Sequence, residues 1–214
     1  MTFKEAKVER SAARQPAWHR RKDFRAPEIL TAAVALLEER GFDRFAVADV
    51  ARSAGVSEAT AYKYFENKEA LLAQAVEAAL TPLIERLETE IPSFAGCAGQ
   101  LERFVVLCLQ DMAERPNIHR PVHGPMRWTA SYKPTVQSMH RRFGRLIDQL
   151  FKEGIARGEL REDTDIVLAG DQIFGAIEGL GWRVLLQGQS SNYDIADFAR
   201  RFVTQLMAGI GPRE

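Results

Sequence analysis

The stretch from Ala46 to Phe65, AVADVARSAGVSEATAYKYF, leaves the chain the least freedom in how it can fold. Val47, Val50 and Ala51 fall on one side of a short helix. Gly55 supplies the positive φ that a tight turn needs, Val56 plugs the corner, and Ser57 opens a second helix as its N-cap. In that second helix Ala61 and Phe65 are four apart and face inward, which leaves Glu58, Thr60, Lys63 and Tyr64 outward. Two short helices joined by a Gly-containing turn, with Ala51 small enough for close approach, predict a helix-turn-helix. The second helix of that motif is the part that enters a DNA major groove.

The flanks support the pattern. Pro27-Glu28 is a helix-start signature, Ile29, Ala33, Leu36 and Leu37 recur at helical spacing, and Gly41 is the left-handed cap. A first helix is therefore expected over Pro27–Arg40. Beyond the motif, Asn67 caps a fourth helix carrying Leu71, Leu72, Ala75, Val76, Ala79, Leu80, Leu83 and Ile84. Pro82 lies inside this series, which predicts a kink or break near Ala78–Pro82.

Taken together, EILTAAVALLEERGF and VADVARSAGVSEATAYKYFENKEALL resemble the DNA-binding domain of TetR-type transcriptional regulators, over roughly Pro27 to Leu72. The resemblance implies an all-α protein with a three-helix DNA-binding head and a helical ligand-binding and dimerisation body. It also implies a homodimer on a partly palindromic operator. By the same resemblance Ser57, Glu58, Thr60 and Lys63 meet bases or nearby phosphates, Tyr62 and Tyr64 meet the DNA backbone, and Lys68 approaches a phosphate. Side-chain chemistry agrees: Lys63 can donate to guanine O6/N7, Thr60 offers a hydroxyl and a methyl, and the tyrosine hydroxyls suit phosphate oxygens. Lys68 beside the Asn67 cap joins a cation to a helix N-terminus. The sequence departs from the family at Phe45-Ala46, where threonine usually caps the second helix and meets a phosphate. Losing such a cap costs about 1 kcal/mol, part of which burial of Phe45 can recover.

A net charge of zero over 214 residues argues at first against a nucleic-acid partner. Its distribution reverses the argument: residues 1–25 hold eight basic and three acidic side chains, a net of +5, joined to a mildly acidic remainder. This arm reads either as a partly disordered solubilising tail or as a source of additional phosphate or minor-groove contacts. No apolar run approaches the roughly 18 residues needed to cross a bilayer, and the charged N-terminus lacks a secretory apolar core, so a cytoplasmic location is expected. Cys97 and Cys108 are too few for a disulfide framework or a zinc site and read as packing residues. No metal or cofactor is expected.

The rest of the chain reads as helical. Leu101, Phe104, Val105, Cys108 and Met112 mark a fifth helix ending before Pro116. The segment ERPNIHRPVHGPMRW, with three prolines, cannot be one regular helix and reads as a loop or short helix lining a pocket. His119 and His123 are four apart there, but no HExxH glutamate partners them and Pro121 intervenes. Long helices follow over Pro134–Arg157, from Asp163 to about Gln187 with Gly170, Gly175, Gly179 and Gly181 inside it, and from about Tyr193. Several glycines in a buried helix suggest close approach of another backbone or a ligand. About nine helices result in all, typical of a multi-helix bundle.

The organisation expected is an arm at 1–25, a helix-turn-helix domain at 26–72 and a ligand-binding and dimerisation domain at 73–214. Phe104, Cys108, Met112, Trp128, Met139, Phe143 and Phe174 are the candidate pocket wall, whose apolar character favours a small hydrophobic or amphiphilic effector. Ile173, Ile177, Leu180, Val184, Phe198, Phe202 and Leu206 are the candidate dimer face, because two broad apolar helices rarely stay exposed on monomers. The expected partners are duplex DNA and a second copy of the chain, with no membrane. The function expected is a ligand-released transcriptional repressor. The alternatives are a DNA-binding architectural or interaction protein without a ligand, and a helical enzyme using His119, His123, His140 and Asp111. For the enzyme no nucleophile–base or metal spacing can be found.

Overall fold

The computed structural model describes the backbone of residues 17–187 and 194–211, with the side chains of residues 25–183 and 194–211. Among the described residues there are ten α-helices and no strand: α1 (Ala17–Arg40), α2 (Val47–Ser53), α3 (Glu58–Ala61), α4 (Lys68–Glu90), α5 (Gly96–Glu114), α6 (Pro116–His123), α7 (Pro125–Trp128), α8 (Lys133–Ala156), α9 (Ile166–Gln187) and α10 (Ile195–Ile210). The all-α architecture is the one expected. Residues 1–16 of the basic arm, and the Tyr193 start of the last helix, lie outside the described residues.

Two boundaries differ from expectation. α1 begins at Ala17, so part of the arm is helical and Pro27 sits inside the helix instead of opening it. Proline removes one i→i−4 bond, and the helix continues on both sides of it. Pro82 likewise does not break α4, which runs on to Glu90. The proline-rich segment forms two short helices, the second of the two forms expected for it. Pro116 and Pro125 open α6 and α7 at the first turn, where a missing N–H costs nothing.

Two apolar cores organise the fold, and α4 belongs to both. The head core joins Ile29, Ala33 and Leu37 of α1, Phe45, Val50 and Ala51 around α2, Ala61 and Phe65 around α3, and α4 from Leu71 to Leu80. The body core begins on α4 at Leu83 and Leu87 and continues through α5, α8, α9 and α10. The changeover falls at Thr81–Pro82, well beyond the 72/73 boundary expected, because Ala75, Val76, Ala79 and Leu80 still pack against the head. Ile118 of α6, Met126 of α7 and Met139 of α8 also enter the head core. Head and body are therefore joined by side-chain packing as well as by the chain.

In the body α5 is the central helix, packed against α10 on one side and α9 on another. The α9 glycines do not share one role. Gly181 is where Met112 of α5 packs, and a β-carbon there would fall 2.1 Å from Met112 Cε. Gly175 and Gly179 face open space.

Candidate DNA-binding face and body cavity

The helix-turn-helix forms for the reasons its residues supply. Gly41 and Gly55 take positive φ, +76° and +65°, as their caps require. Ser57 accepts the Thr60 backbone N–H at 3.1 Å, and its hydroxyl lies 2.8 Å from Thr60 Oγ1. α3 is a single regular turn, after which Tyr62–Phe65 continue as tight turns bonded back to Glu58, Thr60 and Ala61. Glu58, Tyr62 and Lys63 are exposed, whereas Thr60, Tyr64 and Lys68 are half-buried. Asn67 caps α4 by accepting the Ala70 N–H at 2.7 Å, and Lys68 is the first residue of that helix.

At the start of α2, Ala46 makes no side-chain cap, and Phe45 is fully buried. Asp49 in the first turn accepts Arg40 of α1 at 3.1 Å and Arg52 at 2.5 Å. A carboxylate near the helix N-terminus thus ties α2 to α1, a tie that sequence spacing across the turn did not reveal.

The body holds a cavity of about 100 Å³, partly open to solvent, between α4, α5, α6, α8 and α9. Its wall includes Cys108, Met112, Met139, Phe143 and Phe174, five of the seven residues expected. Phe104 stands behind the wall, fully buried and edge-on to Phe143 and Phe174 at 6.5 and 6.4 Å. Trp128 is corrected: it is 83% exposed and lies outside the wall, because α7 turns Met126 inward and the indole outward. Burial pushes the Cys108 thiol well above its usual range, so it serves as apolar wall.

Polar residues that the apolar pattern did not show cluster on one side of the cavity: His119, His123, Arg127, His140 and Glu178. Arg127 pairs with Glu178, whose Oε1 is also 3.5 Å from His123 Nδ1. Burial, with the nearby His119, Arg127 and His140, pulls the His123 pKa down to about 4. Glu178 is already engaged by Arg127 and does not outweigh that. Burial and Arg127 also lower the His140 pKa. His119 and His123 stack at 6.0 Å, and His119 Nε2 lies 2.7 Å from Asp111 Oδ2. Burial alone raises the Asp111 carboxyl; hydrogen bonds from His119 and Arg115 more than offset this and leave it below the usual range. An ionised carboxylate can only accept, so His119 Nε2–H is the donor.

The expected dimer face is corrected in part. Ile173 and Leu180 are completely buried in their own protomer's core, and Ile177 and Leu206 nearly so. They are spent on α5 and cannot also meet a partner. Phe198 and Phe202 are half-buried and stack in parallel at 6.2 Å. Val184 lies outside the residues whose side chains are described. The outward face of α9 carries Val167, Leu168, Gly175, Gly179 and Trp182 instead.

A short recognition helix on a compact three-helix head, carried by one long helix into a hollow helical body, defines a helix-turn-helix DNA-binding transcriptional regulator. Residues 29–75 match the family described as bacterial regulatory proteins, tetR family, and residues 76–209 match the C-terminal region of YsiA-like proteins. The chain belongs to the TetR family. It is 27% identical over 184 residues to the fatty acid metabolism regulator protein of Bacillus subtilis, covering 86% of this chain and 94% of that protein. The nucleoid occlusion factor SlmA of Escherichia coli is 28% identical over 163 residues, covering 74% of this chain and 82% of its own. Among solved structures, Bacillus subtilis FadR in complex with stearoyl-CoA superposes with a TM-score of 0.73 at 27% identity, covering 86% of this chain and 98% of that one. No helix among the described residues is long and apolar enough to cross a membrane.

Proposed function

We propose that this regulator is a homodimeric repressor released from its operator by a long-chain acyl thioester held in the body cavity. The observation that carries the reading is the cavity itself. Aliphatic, Met and Phe side chains line most of it, and a hydrogen-bonding cluster lines one side. That division suits an apolar chain ending in a neutral polar group. Arg127 is committed to Glu178 and the lowered pKa values keep His123 and His140 uncharged at neutral pH, so a free carboxylate finds no unpaired cation there. The solved relative holding stearoyl-CoA supports the same class of ligand. On the head, Glu58, Tyr62 and Lys63 are available to DNA, and Lys68 at the α4 N-terminus suits a phosphate.

The test is a titration of labelled duplex, enriched from a random pool by the protein, with stearoyl-CoA and separately with stearate and with coenzyme A. Release by stearoyl-CoA at concentrations where the other two do nothing is expected. Retention of DNA under all three, with no change in melting temperature, would overturn the effector assignment. Binding that is equal for every duplex and disappears with salt would overturn the operator assignment.

A further inference from the structure

Three phenylalanines close the end of the cavity that lies farthest from α6 and α7. On α5, Cys108 and Met112 line the wall, and Met112 is the nearer to α6, where His119 and His123 stand. Phe104 lies about two turns before Met112 on the same helix, about 12 Å along its axis. Phe143 is the last wall residue of α8, and Phe174 is the first of α9. Both are half-buried, and each meets the fully buried Phe104 edge-on, at 6.5 and 6.4 Å with interplanar angles of 90° and 83°. His140 also meets Phe174, at 5.9 Å. One turn further on, Leu101 of α5 and Ile147 of α8 are fully buried in the body core. Edge-to-face contacts hold ring pairs together beyond what their buried area alone provides.

The void as it stands measures about 100 Å³, whereas an apolar cavity of roughly 150 Å³ holds a molecule the size of benzene. A long acyl chain therefore has to make room. The large apolar wall side chains not already locked by burial are Phe143 and Phe174, and both are tied to Phe104. We propose that Phe104 sets the acyl-chain length the cavity accepts: shorter chains fill the void, and longer ones must part Phe143 and Phe174 from it. The proposal rests on the cavity being the acyl site. With the thioester among the polar residues of α6 and α7, the methyl end of the chain points to the phenylalanines. Each methylene that finds apolar room raises affinity about fourfold. Once the chain reaches the rings, a further methylene gains only what is left after the ring contacts are broken, and affinity levels off. Discrimination of this kind is one of shape, because every added methylene has the same chemistry.

The experiment measures, by calorimetry, the affinity of the full-length wild-type protein, Phe104→Ala, Phe104→Leu and Phe151→Leu for straight-chain acyl-CoAs from hexanoyl to eicosanoyl. Phe151 is fully buried in the same core and does not line the cavity, so its variant carries the cost of a core change away from the wall. The levelling-off should move to longer chains in Phe104→Ala, and by less in Phe104→Leu. The longest chains should bind Phe104→Ala about tenfold or more tighter than wild type, with hexanoyl-CoA bound alike by both. If Phe104→Ala does not fold, Phe104→Leu carries the test alone. An unchanged levelling-off point in the Phe104 variants overturns the proposal, as does an equal displacement in Phe151→Leu or a wild-type affinity that climbs evenly to eicosanoyl-CoA. The same proteins are melted in parallel with straight-chain alcohols from hexanol to tetradecanol, which need only the apolar part of the cavity. The chain length of greatest stabilisation should again move in the Phe104 variants alone. A wild-type protein that binds no acyl-CoA of any length removes the effector assignment instead, and the alcohols then decide: an unmoved maximum, or no stabilisation at all, overturns the proposal.

Discussion

The Ser57 and Thr60 hydroxyls, both expected at the DNA, are 2.8 Å apart and partly engaged with each other. Lys63, exposed on the same turn, is the freer reader. Lys63→Ala should therefore cost about 1–3 kcal/mol on the preferred operator and relax the preference at one base position. Lys68→Ala should weaken all duplexes alike and make the salt slope shallower by about 1. Selection of preferred sequences by each variant, with a salt titration, separates the two; the reverse pattern would move Lys63 off the bases. A second prediction at this scale concerns His123, whose folded-state pKa is about 4 against an ordinary 6.5. Between those values the unfolded chain binds the extra proton, so stability is full above about pH 6.5 and falls as the pH drops towards 4. The groups facing it are His119 on its own helix, Arg127 on α7, His140 on α8 and Glu178 on α9. Loss of at most about 3 kcal/mol is expected, and His123→Gln should flatten that part of the stability–pH curve measured by denaturant unfolding. A variant curve parallel to wild type would assign the slope to other groups.

Elements differ in how far residues alone announce them. α2, α3 and the start of α4 were legible because local signals coincide there: Gly41, Gly55, Ser57 and Asn67 each act within three or four residues, and each does in the structure what its chemistry dictates. The apolar cavity wall was legible for a different reason, since Cys108, Met112, Met139, Phe143 and Phe174 recur at helical spacing. Its polar side was not, because His123, Arg127 and Glu178 meet across α6, α7 and α9, and no spacing rule connects them. The two prolines inside long helices misled for a related reason: helix continues on both sides of Pro27 and Pro82 despite the bond each removes. The glycines of α9 were read as one group and are two. At Gly181 the β-carbon of alanine would collide with the end of Met112, a flexible side chain that also lines the cavity. Gly181→Ala should therefore fold, drive Met112 into the cavity and weaken stearoyl-CoA binding about tenfold, as overpacking of 1–3 kcal/mol implies. Gly175→Ala, with open space around it, should leave that affinity unchanged. Equal affinities for the two variants would mean that Met112 yields in another direction.

At the scale of the whole molecule, a dimer must set the separation of two heads so that their recognition helices enter successive major grooves, about 34 Å apart. The interior of each protomer already consumes Ile173, Ile177, Leu180 and Leu206, so the surface left for a partner is the opposite side of α9. Val167, Leu168 and Trp182 are exposed there at intervals that keep them on one side of the helix, and Gly175 and Gly179 between them carry no side chain into the open space they face. Two glycines between apolar ends allow another helix to approach the backbone closely at Gly175 and Gly179, with the exposed Asp171 beside them on the same face, and that face meeting its own copy about a two-fold axis is self-complementary. Phe198 and Phe202, stacked and half-buried on α10, provide the neighbouring edge. Leu168→Glu together with Trp182→Glu should split a dimer built on this face, because each buries a charge at an apolar position of it. Sedimentation should then show a monomer with an unchanged helical spectrum, and operator affinity should fall about a hundredfold or more as the linkage between half-sites is lost. Ile173→Val, a change inside the protomer, should lower stability by about 0.5–1.5 kcal/mol and leave the dimer intact. A doubly substituted protein that still sediments as a dimer would place the interface elsewhere and detach the head spacing from α9.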